Sequence, residues 1–600
     1  MPNESLCSED FDLLVVASGY FAQQYIPNIP GLEKFSGQVI HSSTLHQQRE
    51  NLFQGPGNNN NKANTLVIGG SMSGVEAASA VALSRSTSMV SVNEILRTSN
   101  THVHHIYSRP FWALPTYLPN GPEENPSFQP LDLTMYDLGR RPPGPIEYAL
   151  GPIPEEKAAK TNTYFQTLLG SDYEKYAHMS TPGQTQIQPP WVAICNEYAE
   201  FLRDGTIQAS MGRVISVHPD DTGLASVQYS EANGQVKTID NVAVIVMATG
   251  FTPFESLSLL PEDVLSKLEY SATDPFFPLI LDKGGTVRSE IPDIGFVGFY
   301  RGPYWGVMEM QARFLGKLWS GGDDTVYTDD QKQSLCSLRV ADPDLARGQF
   351  PMGDYVGLME FFAKELGITR SVLGENSSGP VIPARYLYDT PTDIRGLSAE
   401  SEANRTLGAL RDTLMHDGVI AQKAAASAIF RALQGLWRSA QDSRIGHETS
   451  GSLAFYPRYP TSPAYDREYV CVGTCAEMTG QRPIQKVQSI MRLAGTESGA
   501  ATSQIEIWSA DLGDGISAGQ ISQCWRLKPL FQEMKGGESI PGEYIISANS
   551  VGSESTYWYT FHFKGVSISS WECVELETST EDKTEFDLGK NYRSRTVYER

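Results

Sequence analysis

Basic residues, cysteines and long apolar runs are all scarce in this sequence, and each scarcity closes off a class of protein. Lysine and arginine total 47 against 70 aspartates and glutamates, giving a formal charge of −23 and an isoelectric point near 4.9. So acidic a surface argues against nucleic acid or an anionic membrane as partner. No stretch reaches the ~18 consecutive apolar residues of a membrane-spanning helix, so no integral span is expected. The N-terminus shows no basic segment followed by an apolar core, so no secretory leader is read and a cytoplasmic setting is expected. The seven cysteines (Cys7, Cys195, Cys336, Cys471, Cys475, Cys524 and Cys573) are odd in number and scattered. That pattern predicts reduced thiols rather than a disulfide framework. Cys471 and Cys475 have no second Cys or His pair near them, so no zinc or other metal site is expected. No C-x-x-C or C-x₄-C pair lies between residues 1 and 370, which sets aside a thiol–disulfide reductase.

What is present is an ordinary globular composition, 40% hydrophobic and 20% charged, over 600 residues. Such a chain is long enough for roughly three or four domains. It is organised around TLVIGGSMSGVEA, Thr65–Ala77. Leu66, Val67 and Ile68 read as a buried strand, Gly69, Gly70 and Gly74 as a turn, and the rest as a helix start. Gly69 can take the tight bend, and Gly74 lets the helix pack closely on the strand. The unpaired N–H groups and dipole of the first helical turn would suit a pyrophosphate. Ser71 stands where the G-x-G-x-x-G pattern has its middle glycine. Read alone, the stretch fits a dinucleotide cradle or simply a tight strand-to-helix turn.

His102–Ser108 reads as the next strand. It ends in Ser108-Arg109 without the carboxylate that would hold a ribose 2′-OH. Arg109 suits a 2′-phosphate, favouring NADPH over NADH, or else packs on Phe111 or Trp112. Along a strand His102 and His104 share one face and His105 takes the other, which argues against a three-histidine metal site.

Flanking blocks give this turn a context. FDLLVVASGY (Phe11–Tyr20) ends a strand-like run in Ala17-Ser18-Gly19, and Phe35, Gly37 and His41 form F-x-G-x-x-x-H. VAVIVMATGFTPF (Val242–Phe254) closes in Ala248-Thr249-Gly250, and Glu309-Met310-Gln311-Ala312-Arg313 follows FVGFYRGPYWGVM. In this order the blocks resemble the flavin-containing monooxygenase family, class B flavoproteins that use NADPH, FAD and O₂. Leu45 departs from the aromatic residue that ends the family's identifying motif. The resemblance spans Phe11 to Gly367. It implies an α/β fold of two Rossmann-like dinucleotide-binding domains and oxygenation of a small molecule at nitrogen, sulfur or beside a carbonyl, with secondary metabolism as a setting. It implies NADPH contacts at Gly69, Ser71, Gly74, Ser108 and Arg109. On the flavin or interface side it implies Ser18, Gly19, Thr249, Gly250 and Gln311. No catalytic side chain is assigned, because the cofactor carries this chemistry. His41 reads as a functional ligand-side residue or, in preference, as a hydrogen-bonding hinge residue.

The family's first glycine motif, which holds FAD, has no counterpart here. The ten residues before Phe11 contain no glycine, and a βαβ unit takes about 30 residues. The FAD-binding domain is therefore expected to be N-terminally incomplete. This leaves a second reading, a flavin-deficient NADPH-binding relative or an apolar-ligand-binding protein without monooxygenase activity.

The expected division is 1–60 as the remnant of the FAD-binding domain, 61–245 as the NADPH-binding domain and 246–368 as the return to the first. Residues 369–424 would be a linker and 425–600 a C-terminal domain. Within these, Trp191–Gly205 reads as a helix, Asn233-Gly234 as a hairpin turn, Val242–Met247 as a returning strand and Phe350–Ile368 as a helix. The C-terminal part alternates short aromatic-rich segments with turns, as an antiparallel barrel or sandwich does. Gly435-Leu436-Trp437, placed just before its first strand, resembles the G-x-W entry of lipocalin-like barrels.

Overall fold

In this computed structural model the described residues are 9–48, 52, 63–91, 101–120, 127–169, 187–299, 305–321, 330–339, 348–350, 352–373, 378–387, 399–415, 418–443, 449–475, 484–495, 505–512, 516–528, 543–551, 556–576 and 592–600. Three short strands lead in: β1 (Leu14–Val16), β2 (Gln23–Gln24) and β3 (Gln38–His41). The organising strand is β4 (Asn64–Ile68), followed by helix α1 (Ser71–Ser91) and β5 (Val103–Tyr107). Next come β6 (Trp112–Leu114), β7 (Tyr117–Asn120), β8 (Ser127–Pro130), β9 (Val192–Ile194) and helix α2 (Tyr198–Arg203). A long meander follows, β10 (Ile207–Pro219), β11 (Ala225–Glu231) and β12 (Val236–Met247).

These strands build a six-stranded mixed sheet in the order β11-β10-β5-β4-β12-β3. β4 and the end of β12 lie at its centre. Leu66, Val67, Val244, Ile245, Val246 and Met247 are wholly buried. A parallel strand covered on both faces needs that unbroken apolar run. Helix α1 covers one face through Val75, Ala78, Val81 and Ala82, all fully buried. Residues Val217, Val227, Tyr229 and Ile239 close the other.

Two expectations change here. Trp191–Gly205 is not one helix: Val192–Ile194 pairs in parallel with Trp112–Leu114, and the helix starts only at Tyr198. The bond from the Thr116 N–H to Asn196 Oδ1 at 2.9 Å holds the chain out of helical register between them. The hairpin strand and the returning strand are a single strand, β12. It bends at Asn241 (φ 56) so that its first half pairs with β11 and its second half with β3 and β4.

A second, smaller body contains β13 (Phe251–Thr252), β14 (Ile294–Phe296), α3 (Trp305–Ser320) and α4 (Tyr355–Leu366). β1 pairs in parallel with β14, and β2 pairs antiparallel with β13. α4 lies within the expected Phe350–Ile368 but starts only at Tyr355. Asp354 caps its start by accepting from the Gly357 N–H, and Gly367 ends it at φ 73.

The chain between the two main bodies holds helix α5 (Ala399–Leu414), and α6 (Val419–Ala432) leads into the barrel. Ten strands then close on themselves: β15 (Gly435–Ser443), β16 (Thr449–Arg458), β17 (Tyr465–Cys475), β18 (Ile484–Ala494), β19 (Ile505–Asp511), β20 (Ser517–Lys528), β21 (Glu543–Val551), β22 (Thr556–Lys564), β23 (Ser567–Leu576) and β24 (Tyr592–Glu599). Every neighbour is antiparallel, and β24 returns to β15. The expected barrel is thus present. Gly435-Leu436-Trp437 does not precede the first strand but begins it. Trp437 is fully buried at the base, where its indole N–H donates to Leu433 O at 2.8 Å.

The barrel is built onto the sheet body. Ser84 and Tyr459 hydroxyls lie 3.0 Å apart, and the Tyr459 N–H donates to Thr87 Oγ1 at 3.0 Å, so the barrel rests on the far half of α1. On α2, the fully buried Glu200 bonds Arg431 at 2.6 Å, lies 3.6 Å from Arg600, and also pairs with Arg203. Burial opposes the Glu200 charge, but these guanidinium groups outweigh it and hold the carboxyl below its ordinary range.

Candidate functional site

The two neighbours of β4, β5 and β12, flank it on opposite sides, and the carboxyl ends of such strands are where open α/β sheets have their ligand crevice. At that point β4 passes into α1 through Gly69-Gly70-Ser71. Gly69 has φ 121, and a Cβ there would sit 2.2 Å from Ala248 O. At Gly74 a Cβ would fall 1.8 Å from Gly69 O and 2.9 Å from His105 Nε2, so only glycine fits. Ser71 adopts φ 68, the left-handed conformation that glycine favours at the middle position of such a turn. Its place is secured by Gln349, whose Nε2 donates to Ser71 Oγ at 2.7 Å and to Val192 O at 2.9 Å. Gln349 Oε1 accepts from the Val192 N–H at 2.7 Å, completing a strap between the turn and β9. The first turn of the 21-residue α1 therefore faces the crevice with its N–H groups unpaired within the helix.

A second support lies beneath the turn. His105, fully buried, has Nε2 2.8 Å from Gly69 O and Nδ1 2.7 Å from the Tyr198 hydroxyl. A carbonyl can only accept, so Nε2 carries the proton and Nδ1 accepts from Tyr198. Burial pushes the His105 pKa down to about 4, against a smaller opposing effect of the Gly69 carbonyl, so the ring is neutral at pH 7. Between about pH 6.5 and pH 4 the unfolded chain binds a proton at this histidine and the folded chain does not. His105 therefore contributes stability that is complete above pH 6.5 and is lost as the pH falls toward 4, on the order of 3 kcal/mol. Urea midpoints measured across that window should fall with acid in the wild type. In His105→Phe, whatever its absolute stability, this part of the slope should be missing.

The backbone at Tyr107–Arg109 runs beside the turn: a Gly70 Cβ would sit 3.1 Å from Tyr107 Cβ and 3.7 Å from Arg109 O. The Arg109 guanidinium lies 5.3 Å over the Trp191 ring. The structure thus brings together Gly69, Ser71, Gly74, Ser108 and Arg109. Sequence reading missed His105, Gln349 and Trp191 as supports. The alternation that set His105 apart from His102 and His104 was the one available signal. Among the described residues no group of three His, Cys, Asp or Glu side chains could hold a metal.

The remaining candidates lie where the chain crosses twice between the sheet body and the smaller one. Ser18 Oγ donates to Ser256 O at 3.3 Å, and Ser256 Oγ, which donates to Pro253 O at 2.7 Å, lies 3.2 Å from Gly19 O. The Thr249 hydroxyl donates to Tyr25 O, and the Tyr25 N–H donates to Gly250 O at 2.9 Å. His41 donates from Nε2 to Gly250 O at 3.1 Å and accepts at Nδ1 from the Ser43 hydroxyl at 2.9 Å, so its ring bridges two segments by hydrogen bonds. Gln311, fully buried, accepts from the Gly298 N–H and donates to Gly284 O, both at 2.9 Å. These side chains stitch the two crossings and brace the smaller body.

A strand–glycine–helix cradle that fits a dinucleotide pyrophosphate occurs once among the described residues, at Gly69–Gly74. β1 runs through Gly19 into β2 instead of into a helix, so the described residues offer no second cradle for an FAD pyrophosphate.

Among the described residues, fold and site together define an α/β protein with one strand–glycine–helix turn of this kind and an attached ten-stranded barrel. No protein-family model matches the chain. Over 79 residues it is 38% identical to a trimethylamine monooxygenase of Methylocella silvestris, a match covering 13% of this chain and 16% of that relative. The chain thus matches under a fifth of that curated relative's length. Among solved structures, DfoA bound to FAD, the cadaverine monooxygenase of Erwinia amylovora, shares 12% identity, with 52% of this chain and 60% of that one covered at a TM-score of 0.28. An oxidized steroid monooxygenase bound to NADP shares 12% identity, with 59% and 73% covered at a TM-score of 0.29. Likenesses this loose establish no shared fold.

Proposed function

We propose that this chain is an NADPH- and FAD-dependent monooxygenase that oxygenates a small molecule at a soft nitrogen or sulfur. The observation that carries the reading is the Gly69–Gly74 cradle, with Arg109 beside it and no carboxylate at the end of β5. The local identity to a trimethylamine monooxygenase supports the nitrogen-oxygenating branch. NADPH would rest its pyrophosphate on the first turn of α1 and its 2′-phosphate near Ser108 and Arg109. In such enzymes FAD takes hydride from NADPH and then activates O₂. In the two-Rossmann-domain arrangement that the resemblance implies, β1, β14, Gly298 and Gln311 belong to the flavin side.

Arg109→Ala should weaken NADPH about tenfold while leaving NADH within twofold, because only NADPH offers a 2′-phosphate to the guanidinium. Titration of both nucleotides into wild type and variant checks this. The overall reading is tested with an oxygen electrode on a panel of tertiary amines and thioethers. Oxygen uptake that requires NADPH, FAD and one of these substrates supports it; absence of uptake with all three present counts against it.

A further inference from the structure

Ser71 carries strain that a glycine would not. It stands at the middle position of the glycine turn, and its φ of 68 is left-handed backbone, which a Cβ raises in energy. Side chains held in that region cluster where a fold uses them. The use of Ser71 lies in its hydroxyl, and Gln349 sets which way that hydroxyl donates.

The directions of the hydrogen bonds around Gln349 follow from Val192. A backbone N–H can only donate and a carbonyl can only accept. The amide atom 2.7 Å from the Val192 N is therefore Oε1, and the one 2.9 Å from Val192 O is Nε2. An amide turned the other way would set donor against donor. Nε2 has two hydrogens, one for Val192 O and the other for Ser71 Oγ at 2.7 Å. Ser71 Oγ thus accepts, and its own hydrogen is left over, with no acceptor for it among the described residues. Gln349 is 4% exposed, whereas Ser71 is only partly buried, so the leftover hydrogen lies on the side that a ligand reaches. The N–H groups of the first turn of α1 begin at the same residue. A hydroxyl donor beside such N–H groups suits an anionic oxygen.

We propose, resting on the reading of Gly69–Gly74 as the NADPH cradle, that Gln349 is a positioning residue for the nucleotide: it holds Ser71 so that the hydroxyl donates to a pyrophosphate oxygen. Gln349 lies shortly before Asp354, the cap of α4, so the same contact ties the cradle to the smaller body.

Four full-length proteins test this by calorimetric titration with NADPH: wild type, Ser71→Ala, Gln349→Met and the double variant. Each single change should weaken NADPH about tenfold, the scale of one hydrogen bond to a charged oxygen. The double variant should bind within about twofold of Ser71→Ala, because Gln349 acts through the hydroxyl. A merely structural strap would instead cost affinity in both backgrounds. The nucleotide 2′-AMP, which has the 2′-phosphate but no pyrophosphate, should bind all four proteins within about twofold of one another. Ser71→Gly, which restores the ordinary glycine and relaxes the turn, should also weaken NADPH about tenfold rather than tighten it. Additive losses, unchanged affinity in Gln349→Met, or wild-type affinity in Ser71→Gly would each overturn the proposal. If Gln349→Met does not fold, Gln349→Glu replaces it in the same comparison. Its carboxylate would draw the Ser71 hydrogen to itself, so adding Ser71→Ala should then cost nothing more. A folded wild type that binds no NADPH would overturn the cradle reading, and this proposal with it, a result distinct from the others.

Discussion

Gly74→Ala is expected to abolish useful NADPH binding, with the dissociation constant rising at least about a hundredfold. The methyl group would have to occupy space 1.8 Å from Gly69 O, and the next obstacle is His105 Nε2 at 2.9 Å. The first is backbone and the second a ring held by two hydrogen bonds, so neither can step aside cheaply. Relief can come only by sliding α1 off β4, which opens the cradle and breaks the bond from His105 to Gly69. A stability loss of about 2–3 kcal/mol should accompany the lost affinity, the usual scale for overpacking. Calorimetric titration with NADPH, together with a urea melt, measures both. Retained affinity in a folded Gly74→Ala protein would mean that the nucleotide, if bound, sits elsewhere.

The second large effect is expected at the seam between barrel and sheet. Glu200 is wholly buried among Arg203, Arg431 and Arg600, so Glu200→Gln leaves three guanidinium groups without their shared counter-charge. Breaking a buried pair from one side typically costs about 3–5 kcal/mol. Arg431 is also tied to Val566 O and sits at the end of the helix that plugs the barrel, so the damage should fall first on the docking of the barrel. Faster proteolysis and an earlier unfolding step in Glu200→Gln are the expected readouts. A double-mutant cycle with Arg431→Met should show strong non-additivity. Additive, near-neutral changes would show that the seam is not held by this charge cluster.

What could be read from the sequence was local in origin. Strand β4 and its glycine turn follow from an unbroken apolar run and from residues whose backbone freedom the turn consumes at Gly69 and Gly74. Helix α4 is legible because Asp354 and Gly367 cap it and Leu358, Phe362 and Leu366 repeat on one face. The barrel announced itself by alternation, though β15 did not, because Leu436 and Ala440 lie exposed on its outer face while Ser439 and Gln441 follow Trp437 on its inner one. The supports of the site come from distant sequence. Gln349 reaches Ser71 across 278 positions and Tyr198 reaches His105 across 93, and nothing local in either segment marks the partnership. The split of Trp191–Gly205 into strand and helix has the same cause: pairing with Trp112–Leu114 overrides the local helical pattern. Thr249, Gly250 and Gln311 illustrate the converse. The sequence blocks they belong to are recognisable in sequence, while their side-chain and backbone bonds to the crossing segments appear only in three dimensions.

The most direct test of the central proposal is an anaerobic absorbance spectrum of the purified 600-residue chain, with and without added FAD, followed by NADPH. The account predicts flavin bands that stay with the protein through gel filtration, bleach when NADPH is added and return on admitting air. A chain that binds NADPH but remains colourless after incubation with FAD would contradict the monooxygenase reading and leave a nucleotide-binding protein without flavin chemistry.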